Sequence, residues 1–154
     1  MNIDDSEFKK IFRGLPSAYL ILRPDLTIVT ATDAYLAATK TKLEEIVGKG
    51  VFEVFPESKE TLDAHGMSKL TLSFNIVLEQ KVPHVLNLLK YDLPLPDEEG
   101  GGFETKYWRP SNSPIFDEQG NVAYIANHVE DITHMVDVLN DSYSGVTRPQ
   151  ELPQ

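Results

Sequence analysis

Ser113-Pro114-Ile115-Phe116-Asp117-Glu118-Gln119-Gly120-Asn121-Val122, closed further on by Glu130-Asp131-Ile132-Thr133, is the stretch on which the reading of the fold turns. Phe103 to Ile115 is rich in aromatic and β-branched residues and reads as a strand. Pro110 and Pro114 lie inside it, and proline cannot donate to a ladder, so an edge or a bulge is expected. Asp117-Glu118-Gln119-Gly120 is turn chemistry, with an aspartate able to bond the backbone just ahead and a glycine able to take a positive φ. Asn121 to Val129 returns as a second strand. Asp131 then stands where it can cap an outgoing helix through Ile132, Met135, Val138 and Leu139.

Toward the N-terminus the pattern continues. Asp4 to Arg13 reads as a short amphipathic helix, with Phe8, Ile11 and Phe12 on one face and Gly14 and Pro16 ending it. Ala18 to Leu22 and Thr27 to Thr30 are strand-like on either side of Arg23-Pro24-Asp25, which predicts a hairpin. Thr32 or Asp33 caps a helix holding Tyr35, Leu36 and Thr39, and Thr41 with Glu44 has the spacing of a capping box. Phe52, Val54 and Phe55 form a short apolar turn stopped by Pro56. Thr61 to Gln80 is the longest helical candidate, with Leu62, Met67, Leu70, Phe74, Val77 and Leu78 as its stripe, and Gly66 sets its effective start later. Val82 to Asp92 is a third strand candidate, separated from Phe103 by the loop Pro94 to Gly102. The order β-β, helices, β-β-β predicts an α+β domain: one five-stranded antiparallel sheet with helices on one face. Asp141 to Gln154 is polar and reads as a flexible tail.

Composition narrows the function. The 154 residues suit one domain with short tails. A formal charge of −10 argues against nucleic acid, which needs a basic face, and against docking on anionic membranes. The absence of cysteine removes disulfides, thiolate catalysis, cysteine zinc sites and iron–sulfur clusters, and fits a reducing cytoplasm. The acidic N-terminus does not read as a signal peptide, and no apolar run approaches the roughly 18 residues of a membrane span.

The segment 113–122 with Asp131-Ile132-Thr133 resembles the C-terminal half of a PAS domain, where a proline-containing strand, a D-x-x-G turn and a last strand lead to an Asp-Ile-Thr signature. Leu15-Pro16, Ala18 to Leu22, the Pro24-Asp25-Leu26 turn and the helix around Asp33 to Leu36 are similar to that family's entry hairpin and first helix. Coverage runs from about Ile11 to Thr133, and the variant is similar to the N-terminal sensory PAS modules of bacterial sensor histidine kinases. The resemblance implies a PAS fold over 15–133, a flanking amphipathic helix over 1–14, and an outgoing helix start with a linker over 134–154. It implies a cytoplasmic, non-catalytic input domain. Such a domain senses a small molecule or mediates homodimerisation, and passes the signal to a downstream domain of a two-component kinase. An interaction-only module with a filled core is the alternative; a small enzyme or ligand carrier ranks third. The helix before the third strand and the loop 94–102 depart from the simplest members of the family.

Site candidates follow. Asp97, Glu98, Glu99, His84, His128 and His134 are the acids and bases in view, but no nucleophile elbow, phosphate-cradling loop or H-E-x-x-H motif accompanies them. His65 and His84 flank the long helix rather than occupy its middle, which disfavours haem, and the Gly-Arg-Asn-Cys motif of flavin photoreceptors is missing. His128 and His134 do not make a metal site by spacing, and no cofactor is specified. A small organic ligand remains. Alternation puts Ala123, Ile125, Asn127 and Val129 on the inner face of the last strand. Asn127 among them is either a core amide satisfied by protein or a ligand contact. By analogy with the family's pleat Trp108 and Asn112 point inward, as core or as cavity wall. In the third strand the inward face is ambiguous, leaving Leu88, Lys90 and Tyr91 as candidates, with Phe74 and Leu78 on the facing helix. Asp131, Ile132 and Thr133 are candidates for signal transmission. Phe8, Ile11, Phe12, Tyr107, Tyr124 and His128 are candidates for a homodimer interface.

Overall fold

The computed structural model describes residues 2–56 and 68–144. Helix α1, Asp5–Arg13, opens on a reciprocal cap in which Asp4 Oδ1 accepts from Glu7 N at 2.8 Å and Glu7 Oε2 accepts from Asp4 N at 3.2 Å. It buries none of its residues, and Arg13 ties its end to Asp33 at 2.5 Å. Strands β1, Ala18–Leu22, and β2, Ile28–Ala31, form the hairpin, with Asp25 Oδ1 accepting from Thr27 N at 3.0 Å in the turn.

Helix α2, Asp33–Thr39, is capped by Thr32, whose Oγ1 accepts from Tyr35 N at 3.3 Å. The same oxygen accepts from Tyr19 N at 3.0 Å and donates to Ser17 O at 2.8 Å. One fully buried hydroxyl therefore fixes the start of α2 to the start of β1. The capping box expected at Thr41 and Glu44 does not form: helix α3, Leu43–Ile46, starts from Lys42 with no side-chain cap. Lys40 takes a left-handed φ of 56° and Thr41 N bonds back to Leu36 O, so Thr41 finishes α2 instead.

Helix α4, Val51–Val54, is followed by helix α5, Lys69–Gln80, capped by Ser68, whose Oγ accepts from Thr71 N at 2.9 Å. Leu62, His65, Gly66 and Met67 of the expected longer helix lie outside the described residues. The strand expected over Val82 to Asp92 is divided into β3, His84–Val85, and β4, Leu89–Pro94. Strands β5, Phe103–Phe116, and β6, Val122–Asp131, are joined by the turn in which Asp117 Oδ1 accepts from Gln119 N and Asn121 N, each at 2.9 Å. Helix α6, Thr133–Ser144, reaches into the segment expected to be tail; 145–154 lie outside the described residues.

The sheet is antiparallel throughout, in the order β2-β1-β6-β5, with β3 and β4 both on the far side of β5. The proline in β5 accounts for the division. Pro110 O accepts from Leu86 N at 2.9 Å, so its nitrogen also points to the β3/β4 side. There β3 ends opposite Ser111 and β4 begins opposite Trp108, leaving the ladder open where a donor is missing. β5 is thus an inner strand, not an edge. Leu20, Leu22, Ile28, Ala31 and Ile125 of the sheet pack on Tyr35, Leu36, Ile46, Val51, Phe74 and Val77 of the helices. Burial of each large apolar side chain stabilises by about 1.5–3 kcal/mol.

Candidate functional site

Between the helices and the inner face of the sheet lies a cavity of about 70 Å³. Tyr35 and Thr39 reach it from α2, Val51 and Phe52 from α4, Leu70 and Phe74 from α5. Leu89, Tyr91 and Leu93 of β4, Trp108 and Pro110 of β5, and Asn127 and Val129 of β6 complete the wall with Phe55. No Asp, Glu, Lys, Arg or His lines it among the described residues. Aromatic rings set its shape: Tyr35 meets Phe55 edge-on at 6.1 Å, Phe55 meets Tyr91 at 6.4 Å, and Phe52 lies 6.2 Å from Phe74. Tyr91 Oη is held by Pro56 O at 2.7 Å.

Two polar groups at this wall are left open. The Tyr35 hydroxyl makes no hydrogen bond among the described residues. Burial, with a smaller contribution from Tyr91, pushes its pKa far above the ordinary tyrosine value, so it stays a neutral O–H. Asn127 donates from Nδ2 to Asn112 Oδ1 at 2.6 Å, while its Oδ1 has no partner among the described residues. Asn112 in turn donates from Nδ2 to Ser73 Oγ at 2.9 Å, and Ser73 Oγ lies 2.8 Å from His84 Nδ1. Sheet register places this row: His84 is opposite Asn112, and Asn112 opposite Asn127.

Phe74, Tyr91, Trp108 and Asn127 therefore lie in the wall. Asn112 is fully buried behind it, Ile125 belongs to the core, and Leu78 packs against that core away from the cavity. Leu88 and Lys90 are corrected: both are exposed on the other side. Leu89 pairs with Trp108, so the odd-numbered residues of β4 share the inner face. Most of the rest of the wall was missed, Tyr35, Thr39, Phe52, Phe55, Leu70, Leu89 and Leu93 among it, as was Ser73 behind it. Ser73 carried a signal, being a small polar residue beside Phe74 within the apolar stripe.

At the sheet-to-helix junction Asp131 Oδ1 accepts from Thr133 N at 3.0 Å and Oδ2 pairs with Lys106 at 3.2 Å. Partial burial opposes ionisation, but the bonds from Thr133 and Lys106 outweigh it and hold the carboxyl below its ordinary pKa. Tyr107 clamps the same junction, its N donating to Thr133 Oγ1 at 2.9 Å and its O accepting from Ile132 N at 2.8 Å. Phe8 and Ile11 are exposed on α1, and Phe12 is partly buried. Tyr124 and His128 are partly buried on the outer face of β6, where His128 stacks on Tyr19 at 4.8 Å.

An antiparallel sheet roofed on one face by short helices, with an apolar chamber between, defines an open α+β domain of two layers. The PAS fold family model matches residues 12–137, and the chain belongs to that family. Among solved structures it is similar to the PAS domain of nitrogen regulation protein NR(II) from Vibrio parahaemolyticus, at 15% identity over 80% of this chain and 95% of that one, TM-score 0.59. A sensory box sensor histidine kinase from Vibrio cholerae is similar at 21% identity over 82% and 89%, TM-score 0.53. The PAS domain of the fruit-fly ELK potassium channel is similar at 16% over 86% and 100%, TM-score 0.57. No curated protein matches the chain by sequence. No helix among the described residues is long and apolar enough to cross a membrane.

Proposed function

We propose that this chain is a non-catalytic sensory input domain whose cavity takes a small uncharged molecule and whose α6 carries the response to a downstream effector. The observation that carries the reading is an apolar chamber with two polar groups, Tyr35 Oη and Asn127 Oδ1, that have no partner among the described residues. Apolar walls with few polar handles are what a ligand site requires. A charged ligand is disfavoured, because the wall offers no charge to pair with it among the described residues. The volume is about half that of an apolar cavity of about 150 Å³ that holds benzene, so the occupant has only a few heavy atoms. Binding biases the sheet, and the Asp131–Lys106–Thr133 junction transmits the bias to α6 as a population shift. The setting is a cytoplasmic homodimer feeding a two-component kinase, in keeping with the sensor histidine kinase it is similar to.

A second reading, an interaction-only module, is favoured by exposed Phe8 and Ile11 on α1 and exposed Met135, Val138 and Leu139 on α6. A native mass spectrum of freshly purified protein, compared with its denatured mass, separates the two. Extra mass lost on denaturation supports the sensory reading. A bare dimer supports association alone, and a bare monomer contradicts the dimeric setting of both.

A further inference from the structure

Four polar side chains run in one line through the core: Asn127, Asn112, Ser73 and His84. Ser73 and Asn112 are fully buried, Asn127 nearly so, and His84 partly buried at the far end. Such a row is costly unless every member is satisfied, so its hydrogen-bond polarity is constrained from one end to the other. Ser73 Oγ accepts from Asn112 and its hydroxyl has no other acceptor among the described residues, so its one proton goes to His84 Nδ1. That requires neutral imidazole with its proton on Nε2. Asn112 Oδ1 is then the acceptor for Asn127 Nδ2, and Asn127 is left with Oδ1 as its open group at the cavity.

We infer that protonation of His84 reverses this row and converts the Asn127 handle at the cavity from acceptor to donor. The proton taken from solvent sits on Nδ1, which must now donate to Ser73 Oγ. The Ser73 hydroxyl turns to donate to Asn112, which rotates its amide to present Oδ1. Asn112 Nδ2 then donates to Asn127, which rotates in turn and leaves Nδ2 open at the cavity. Heavy atoms stay in place, because an amide's O and N exchange positions on a half-turn. Imidazole is the side chain that changes charge between about pH 5 and 8. The elements packed on His84 are α5, through Ser73, and β5, through Asn112. Of their charged residues, Lys106 pairs with Asp131 and Glu104, and Arg109 with Glu130. Lys69 and Glu79 of α5 and Lys81 at its end form no ion pair among the described residues, and neither does His84. The inference rests on the sensory reading for its purpose: neutral His84 selects ligands that donate at this end, and protonated His84 selects ligands that accept.

The test uses the ¹⁵N-labelled full chain with no ligand, so it stands or fails apart from the sensory reading. Ring nitrogens of His84 and side-chain amides of Asn112 and Asn127 are followed by NMR from about pH 5 to 8. The expected result is an Nε2–H tautomer at high pH and a shift of both amides with the midpoint of His84. In His84→Gln both amides stay flat, with the fold checked by the backbone spectrum. Amides flat in the wild type while His84 titrates would overturn the inference. So would a His84 neutral throughout, or amides that still titrate in His84→Gln.

Discussion

Replacing Asn112 by leucine removes the centre of the buried polar row while keeping the branching of the side chain. Asn112 is fully buried and bonds both Asn127 Nδ2, at 2.6 Å, and Ser73 Oγ, at 2.9 Å. Ser73 keeps His84 as a partner, whereas Asn127 Nδ2 loses the only bond it makes among the described residues. A stranded buried donor costs about 1–3 kcal/mol and the lost bond to Ser73 about 0.5–1.5, so Asn112→Leu should destabilise by about 2–4 kcal/mol. Asn127→Leu strands Asn112 Oδ1 and should cost about 1–3 kcal/mol. The double variant strands neither, and should fall short of the sum by both stranding costs, at least about 2 kcal/mol. Urea unfolding followed by fluorescence of Trp108, the single tryptophan and a cavity residue, reads all three. Costs that add to within about 0.5 kcal/mol would refute the reasoning, because independent sites add and a coupled pair does not.

Three further outcomes follow from the same geometry. Phe74→Ala, at a buried side chain in the cavity wall, should cost about 3–5 kcal/mol by denaturant unfolding. Thr32→Ala removes the cap of α2 and the acceptor for Tyr19 N together, and should cost about 2–4 kcal/mol, more than a cap alone. At the junction, Asp131 has a lowered pKa, so its contribution is complete above the unfolded carboxylate value of about 3.9 and is lost as pH falls through the lower folded value. Thermal melts should therefore show Asp131→Asn less stable than wild type near neutrality, with the gap closing below about pH 4.

The order of elements was legible because hairpin turns, caps and alternation are local signals. Asp117 to Gly120 and Pro24-Asp25 announce their turns through residues whose side chains bond the adjacent backbone. The inner face of β6 followed from a two-residue period and that of β5 from the resemblance to the family's pleat, and Trp108, Asn112 and Asn127 are buried there. What the sequence hid is non-local. The division of the third strand depends on Pro110, a residue of β5 that meets it only across the sheet. The exposure of Leu88 and Lys90 depends on a register that pairs Leu89 with Trp108, and alternation alone allows either face. Tyr35 from α2 and Phe55 just after α4 join the wall, and Ser73 of α5 joins the polar row behind it through Asn112; no window of sequence holds all three. Thr41 has the spacing of a capping box, but the left-handed turn at Lys40 claims it for the preceding helix.

The most direct test of the account is a backbone and side-chain NMR titration of the full chain with propan-1-ol, a neutral molecule of a few heavy atoms carrying one hydroxyl. The account predicts saturable shifts centred on Tyr35, Trp108, Asn127 and Val129, which Asn127→Leu weakens at least tenfold in affinity, about 1.4 kcal/mol. Shifts that drift without saturating and spread over the surface would contradict it.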